Sequence, residues 1–163
     1  MSNSEITARQ LQAFKRFLTR LPHGKDVDLV ILKAHLLVEE QVNALIRERL
    51  SNPELLLGEE RFESGYRIRL AQSFFPQDHW PWMWHALIQL NKLRNRVAHN
   101  IDPKGRENIM EDLIQSIPMT GEKDSRPVQD RFEFALWSLF EAVSSLVERD
   151  KASVLELIPG EKR

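Results

Sequence analysis

The chain has 163 residues, a net charge of −1 and no cysteine, which bounds it to one domain able to bury its own core and excludes disulfides and thiolate metal sites. Its composition, 42% hydrophobic and 29% charged, is that of an ordinary globular protein, and a charge so near zero excludes a chain-wide pull toward nucleic acid. The N-terminal stretch MSNSEITARQ has no apolar core of signal type and no apolar run approaches membrane-spanning length, so a cytoplasmic protein without membrane association is expected.

Helix punctuation is frequent and strand alternation scarce, so the chain reads as an all-α helical bundle. A first helix is expected from about Glu5 to Leu21, with Leu11, Phe14, Leu18 and Leu21 at helical spacing. Pro22 to Lys25 ends it, and a longer helix follows over roughly Asp26 to Leu50. Its residues Val30, Ala34, Leu37, Val38, Val42, Leu45 and Ile46 make a broad apolar face. Pro53 stops that helix by disfavouring a helical residue before it. PELLL reads as a turn or two of helix, and RFESGYRIRLAQSFF as a further helix, weakened by Gly65 and ended by Pro76. Pro81 suits the first turn of the next helix, which runs to about Asn100 with Leu87, Leu90, Leu93 and Val97 inward. Asp102 to Gly105 breaks it. A short helix, RENIMEDLIQSI, precedes the polar stretch Thr120 to Pro127. The last helix covers roughly Val128 to Asp150, or on to Ile158, with Phe132, Leu136, Leu139, Phe140, Val143 and Val147 as its stripe. The sum is four long helices and two or three short ones, a single domain over 1–158 with a tail over 159–163.

The unusual chemistry lies in LRNRVAHN, Leu93 to Asn100. Side chains four apart share a helix face, so Asn95 and His99 are neighbours there, and Arg94 lies about 100° round from Asn95. These three border the core stripe of Leu90, Leu93 and Val97. From Lys92 to Arg106 the chain also carries Lys92, Arg94, Arg96, Lys104 and Arg106 against one acid, Asp102, a local basic patch able to hold phosphates at contact range. A guanidinium can grip a phosphate at two points, and an imidazole can move protons near neutral pH. Spacing alone favours the plainer role, a solvated helix end whose cations suit the helix dipole. In HWPWMWH, the residues Trp80, Trp82 and Trp84 cannot all face one core. Packing is the better reading for them than base stacking, with one or two at a subunit interface. His79 and His85 lack a third ligand for a zinc site, and no metal or other cofactor is expected.

Arg94-Asn95-Arg96-Val97-Ala98-His99 resembles the Arg-x4-to-6-His motif of the HEPN superfamily, including the polar residue directly after the Arg. AHLLVEEQVNALI resembles that family's long early helix, YRIRLAQSF with LIQLNKLRNRVAHN its central pair, and FEFALWSLFEAVSSLVE its closing helix. The resemblance runs in order over about residues 27 to 148. The early helix and RIRLAQSF are also similar to the mannitol operon repressor family. The HEPN resemblance implies an all-α homodimer whose Arg/His segments meet across one cleft, with RNA as the partner. For catalytic members it implies metal-independent RNA cleavage. Carried over, His99 is the general acid/base, Arg94 stabilises the scissile phosphate and Asn95 orients groups in the cleft, with Lys92, Arg96 and Asn100 as RNA contacts. The early-helix acid matches Glu40 best and Glu39 less well, with the register left open; both acids can equally be solvated charges. His35 shares a face with Glu39, and for it a packed or surface role outweighs a catalytic one. The expected activity is that of a toxin or defence endoribonuclease, with an antitoxin or regulatory protein as a possible partner. The repressor-like alternative is a non-catalytic regulatory module.

Overall fold

The computed structural model describes residues 7–118 and 124–156, with side chains described through residue 149. Seven helices occur there and no strand: α1 (Ala8–Arg20), α2 (Val27–Arg49), α3 (Glu54–Leu57), α4 (Ser64–Ser73), α5 (Pro81–His99), α6 (Arg106–Ser116) and α7 (Val128–Glu156). The expected all-α bundle, with four long helices and three shorter ones, is the architecture found. A start of the first helix at Glu5, the extension to Ile158 and the tail 159–163 lie outside the described residues. None of the described helices is long and apolar enough to cross a membrane.

Local chemistry sets the helix ends. The Thr7 hydroxyl accepts the Gln10 amide at 3.1 Å and the Asp26 carboxylate accepts the Asp28 amide at 2.8 Å, each satisfying a donor that the first turn leaves open. Pro81 occupies the first position of α5, where its missing N–H costs nothing. Gly105 precedes α6 at φ 74°, a backbone region that glycine enters without penalty.

α2 packs against α1, α4, α5 and α7, and α5 is flanked by α2, α4, α6 and α7. The apolar faces expected on α2 and α7 are buried throughout, as are Leu87, Leu90 and Leu93 of α5. α1 differs from expectation. Its buried residues are Phe17 and the following Leu21, whereas Leu11 and Leu18 are exposed. Phe17 stacks on Phe140 of α7 with ring centroids 4.5 Å apart, so the face that meets the core is turned by one residue from the Leu11/Leu18 line. Trp84 is buried, with its indole N–H donating to the His79 carbonyl at 3.0 Å; Trp80 and Trp82 are half-buried against the core edge.

Polar clamps tie the shorter helices to this frame. Arg106 at the start of α6 bonds Asp28 of α2 at 2.6 Å, and Arg131 of α7 makes a two-point pair with Glu111 of α6. Arg67 of α4 donates to the Phe62 carbonyl (2.8 Å), Asn43 Oδ1 of α2 (3.1 Å) and the Leu57 carbonyl (3.2 Å). One guanidinium thereby fixes where α4 begins relative to α2, using the planar fork that distinguishes Arg from Lys.

Candidate functional site

The start of α4, the middle of α2 and the C-terminal half of α5 enclose an open cleft of about 920 Å³. Arg94, Asn95 and His99 all line it, with Asn91 one turn earlier on the same helix. Spacing explains why: positions 91, 95 and 99 recur every four residues, a line along one side of α5, and Leu90 and Leu93 turn the adjacent face into the core. Arg94 is half-buried and its Nη1 donates to Asn95 Oδ1 at 2.8 Å. His99 is exposed in the last turn of the helix and makes no hydrogen bond to the described residues. Its imidazole is free for a ligand.

Of the two early-helix acids, Glu39 lines this cleft and Glu40 does not. Glu40 lies one residue further round α2, where it forms an exposed ion pair with Arg16 of α1. Glu39 instead accepts a hydrogen bond from the Ser64 hydroxyl at the start of α4. Of the two acids between which the early-helix match left the register open, Glu39 and not Glu40 is brought to this cleft, because a single-residue step turns a side chain by about 100°.

Beneath Glu39 lies His35, 5% exposed, with a buried Nδ1 that has no formed hydrogen bond. Burial holds its pKa below the ordinary histidine value; Arg94 pushes the same way, while Glu39 and the Asn91 side chain favour the charged ring. Of the packed and surface roles expected for His35, the packed one is observed, and it carries a pH dependence. The fold favours the neutral ring, so its contribution to stability is full above the unfolded-state value near 6.5 and is lost as pH falls through that value toward the lower folded-state pKa. Urea unfolding between pH 7.5 and 5.5 is expected to show stability falling by up to about 1.4 kcal/mol per pH unit from this group. His35→Gln is expected to flatten that slope, and an unchanged slope in the variant would locate the acid sensitivity elsewhere.

Lys92, Arg96 and Asn100 lie on the other side of α5, in a second groove of about 700 Å³ with Lys104 and Asp102. Asn95 and His99 line both spaces, so they form the ridge between them. The basic residues in this region are not equally available. Arg96 donates to the Lys104 carbonyl and Arg106 is paired with Asp28, while the ammonium groups of Lys92 and Lys104 have no partner among the described residues. Asn100 caps α5 by donating from Nδ2 to the Arg96 carbonyl at 2.9 Å. His79 and His85 stay apart from both spaces: His79 stacks between Phe75 and Trp80, and His85 lies 3.4 Å from Asp112.

Sequence reasoning missed Asn91, Ser64 and Tyr66 as cleft residues. Asn91 was reachable by extending the four-residue spacing back one turn from Asn95. Ser64 and Tyr66 carry no local signal, since only the packing of α4 against α2 and α5 brings them to the site. No protein-family model, no curated protein and no solved structure matches the chain.

Proposed function

We propose that the protein is a metal-independent endoribonuclease of HEPN type, a cytoplasmic toxin or defence component that works as a homodimer. The observation that carries this reading is the convergence of Arg94, Asn95, His99 and Glu39 on one cleft, with an exposed, unpaired imidazole on its rim. The nucleophile is the RNA 2′-hydroxyl. Its oxygen bonds to the adjacent phosphorus as the bond from phosphorus to the 5′-oxygen breaks, leaving a 2′,3′-cyclic phosphate and a 5′-hydroxyl. One proton leaves the 2′-oxygen and one reaches the departing 5′-oxygen; His99 and its counterpart in a second subunit serve these transfers. Arg94 faces the charge that builds on the phosphoryl oxygens, and the Asn95 amide holds its guanidinium in place. Glu39, rather than Glu40, is the early-helix acid of this site.

The test is incubation of the purified protein with mixed cellular RNA, with and without EDTA. Cutting that survives chelation and leaves cyclic-phosphate ends is expected; intact RNA at high protein concentration, or cutting abolished by EDTA, would overturn the reading. Glu39→Gln is expected to slow cleavage about 10²-fold, the low end of a typical single-group contribution. Glu40→Gln should leave it unchanged. Equal effects of the two substitutions would remove Glu39 from the site.

A second reading, a non-catalytic regulatory module like the mannitol operon repressor family, is favoured by a different observation. Leu11 and Leu18 of α1 and Leu29 and Leu36 of α2 are exposed, and exposed apolar side chains of this size are what a protein-binding surface uses. An antitoxin or regulatory partner would also meet such a surface.

A further inference from the structure

The two spaces that share the Asn95/His99 ridge differ in charge and in chemistry. The groove holds Lys92, Arg96 and Lys104 against one acid, Asp102. In the cleft, three carboxylates (Glu39, Glu60, Glu63) balance three guanidiniums (Arg67, Arg69, Arg94). The cleft also holds Tyr66, the only tyrosine of the chain, 61% exposed on the first turns of α4. The clamp around Arg67 fixes the backbone on which Tyr66 sits, so the ring stands on a rigid element. The carboxylates of Glu60 and Glu63 have no hydrogen bond or ion pair among the described residues. A polyanion backbone therefore finds net positive charge on one side of the ridge. On the other it finds a neutral, open space with an aromatic face and unengaged acceptors.

Resting on the ribonuclease reading, we infer that the cleft is a nucleobase pocket that selects guanine in single-stranded RNA, while the groove beyond the ridge carries the neighbouring phosphates. Tyr66 offers the stacking face, which any base can use. Selection comes from the free carboxylates. A carboxylate is an acceptor only, with two oxygens that can take two parallel N–H donors. The guanine Watson–Crick edge presents two such donors side by side, its ring N–H and its amino group. Adenine and cytosine present one, and uracil presents one flanked by carbonyl oxygens that a carboxylate repels. Recognition through that edge is how unpaired bases are read by proteins. The strand thus crosses the ridge with a base in the cleft and its phosphates in the groove, which sets the linkage that His99 meets.

Binding of short fluorescein-labelled 2′-O-methyl RNAs tests this, since such strands have no 2′-hydroxyl to react. Four versions differ at one central base, and fluorescence anisotropy reads their affinity. The guanine version is expected to bind tightest. Tyr66→Ala should weaken it about 5- to 150-fold, the range that one base–aromatic stack contributes. Tyr66→Phe keeps the ring and should retain binding. The double variant E60Q/E63Q should lose the preference for guanine while still binding. Lys92→Ala should weaken all four strands alike and reduce the salt dependence of binding by about 0.7 in log–log slope. No binding by the unmodified protein, equal affinity for all four bases, or full affinity in Tyr66→Ala would each overturn the pocket. The catalytic reading fails separately: guanine-selective, Tyr66-dependent binding without cleavage of ordinary RNA retains the pocket and removes the enzyme. Cleavage unaffected in rate and base preference by Tyr66→Ala does the reverse.

Discussion

Replacing His99 with alanine is expected to lower RNA cleavage by about 10²- to 10⁴-fold, the range for loss of a positioned general acid or base. The side chain is exposed and makes no hydrogen bond to the described residues, so folding stability should stay within about 0.5 kcal/mol of the unmodified protein. That contrast separates a chemical role from a structural one. Arg94→Lys should also lose most activity although charge is kept, because a point charge cannot reproduce the fork that grips phosphate and meets Asn95 Oδ1 at 2.8 Å. Single-turnover cleavage of a labelled RNA, alongside a thermal melt of each variant, reads both quantities. Cleavage by the His99 variant at the unmodified rate would remove the imidazole from the mechanism.

Phe17→Ala is expected to destabilise the fold by about 3–5 kcal/mol, the cost of deleting a large buried aromatic and leaving a cavity. Phe17 is 0% exposed and stacked on Phe140, in the layer where α1 meets α7. Leu18, 40% exposed on the same helix, should cost less than about 1 kcal/mol on the same replacement. Urea denaturation of the two variants compares them directly. Similar losses would mean that α1 packs by a broad face rather than by the line of Phe17 and Leu21.

That pair of residues also shows where the sequence was legible and where it was not. On α2 and α7 the apolar positions form one continuous face, so periodicity alone placed Val30, Val38 and Leu45, or Phe132 and Phe140, in the core. From Leu11 onward, α1 and the residue that ends it carry apolar side chains at Leu11, Ala13, Phe14, Phe17, Leu18 and Leu21, which spread over too much of the helix for spacing to centre the buried stripe. The contacts with α7 decide it: Phe17 stacks on Phe140 and Phe14 meets Trp137 edge-on. The candidate site divides in the same way. Arg94, Asn95 and His99 lie on one helix, so their common face follows from local geometry. Glu39 comes from α2 and Tyr66 from α4, and which residue of Glu39-Glu40 faces α5 depends on how α2 is rotated against α1, where Arg16 holds Glu40.

The bond from Arg96 to the Lys104 carbonyl bears on how anions would be met in the groove. Gly105 leaves the space that this guanidinium occupies: a Cβ there would stand 2.9 Å from Arg96 Nη1. A free arginine gives up about 2 kcal/mol of rotamer freedom when it settles on a ligand. Arg96 has given up much of that freedom in the folded chain, and a guanidinium with five N–H groups has donors left after one is used. Its orientation precedes the ligand, as a fixed post does a rope, whereas Lys92 must be ordered at each encounter.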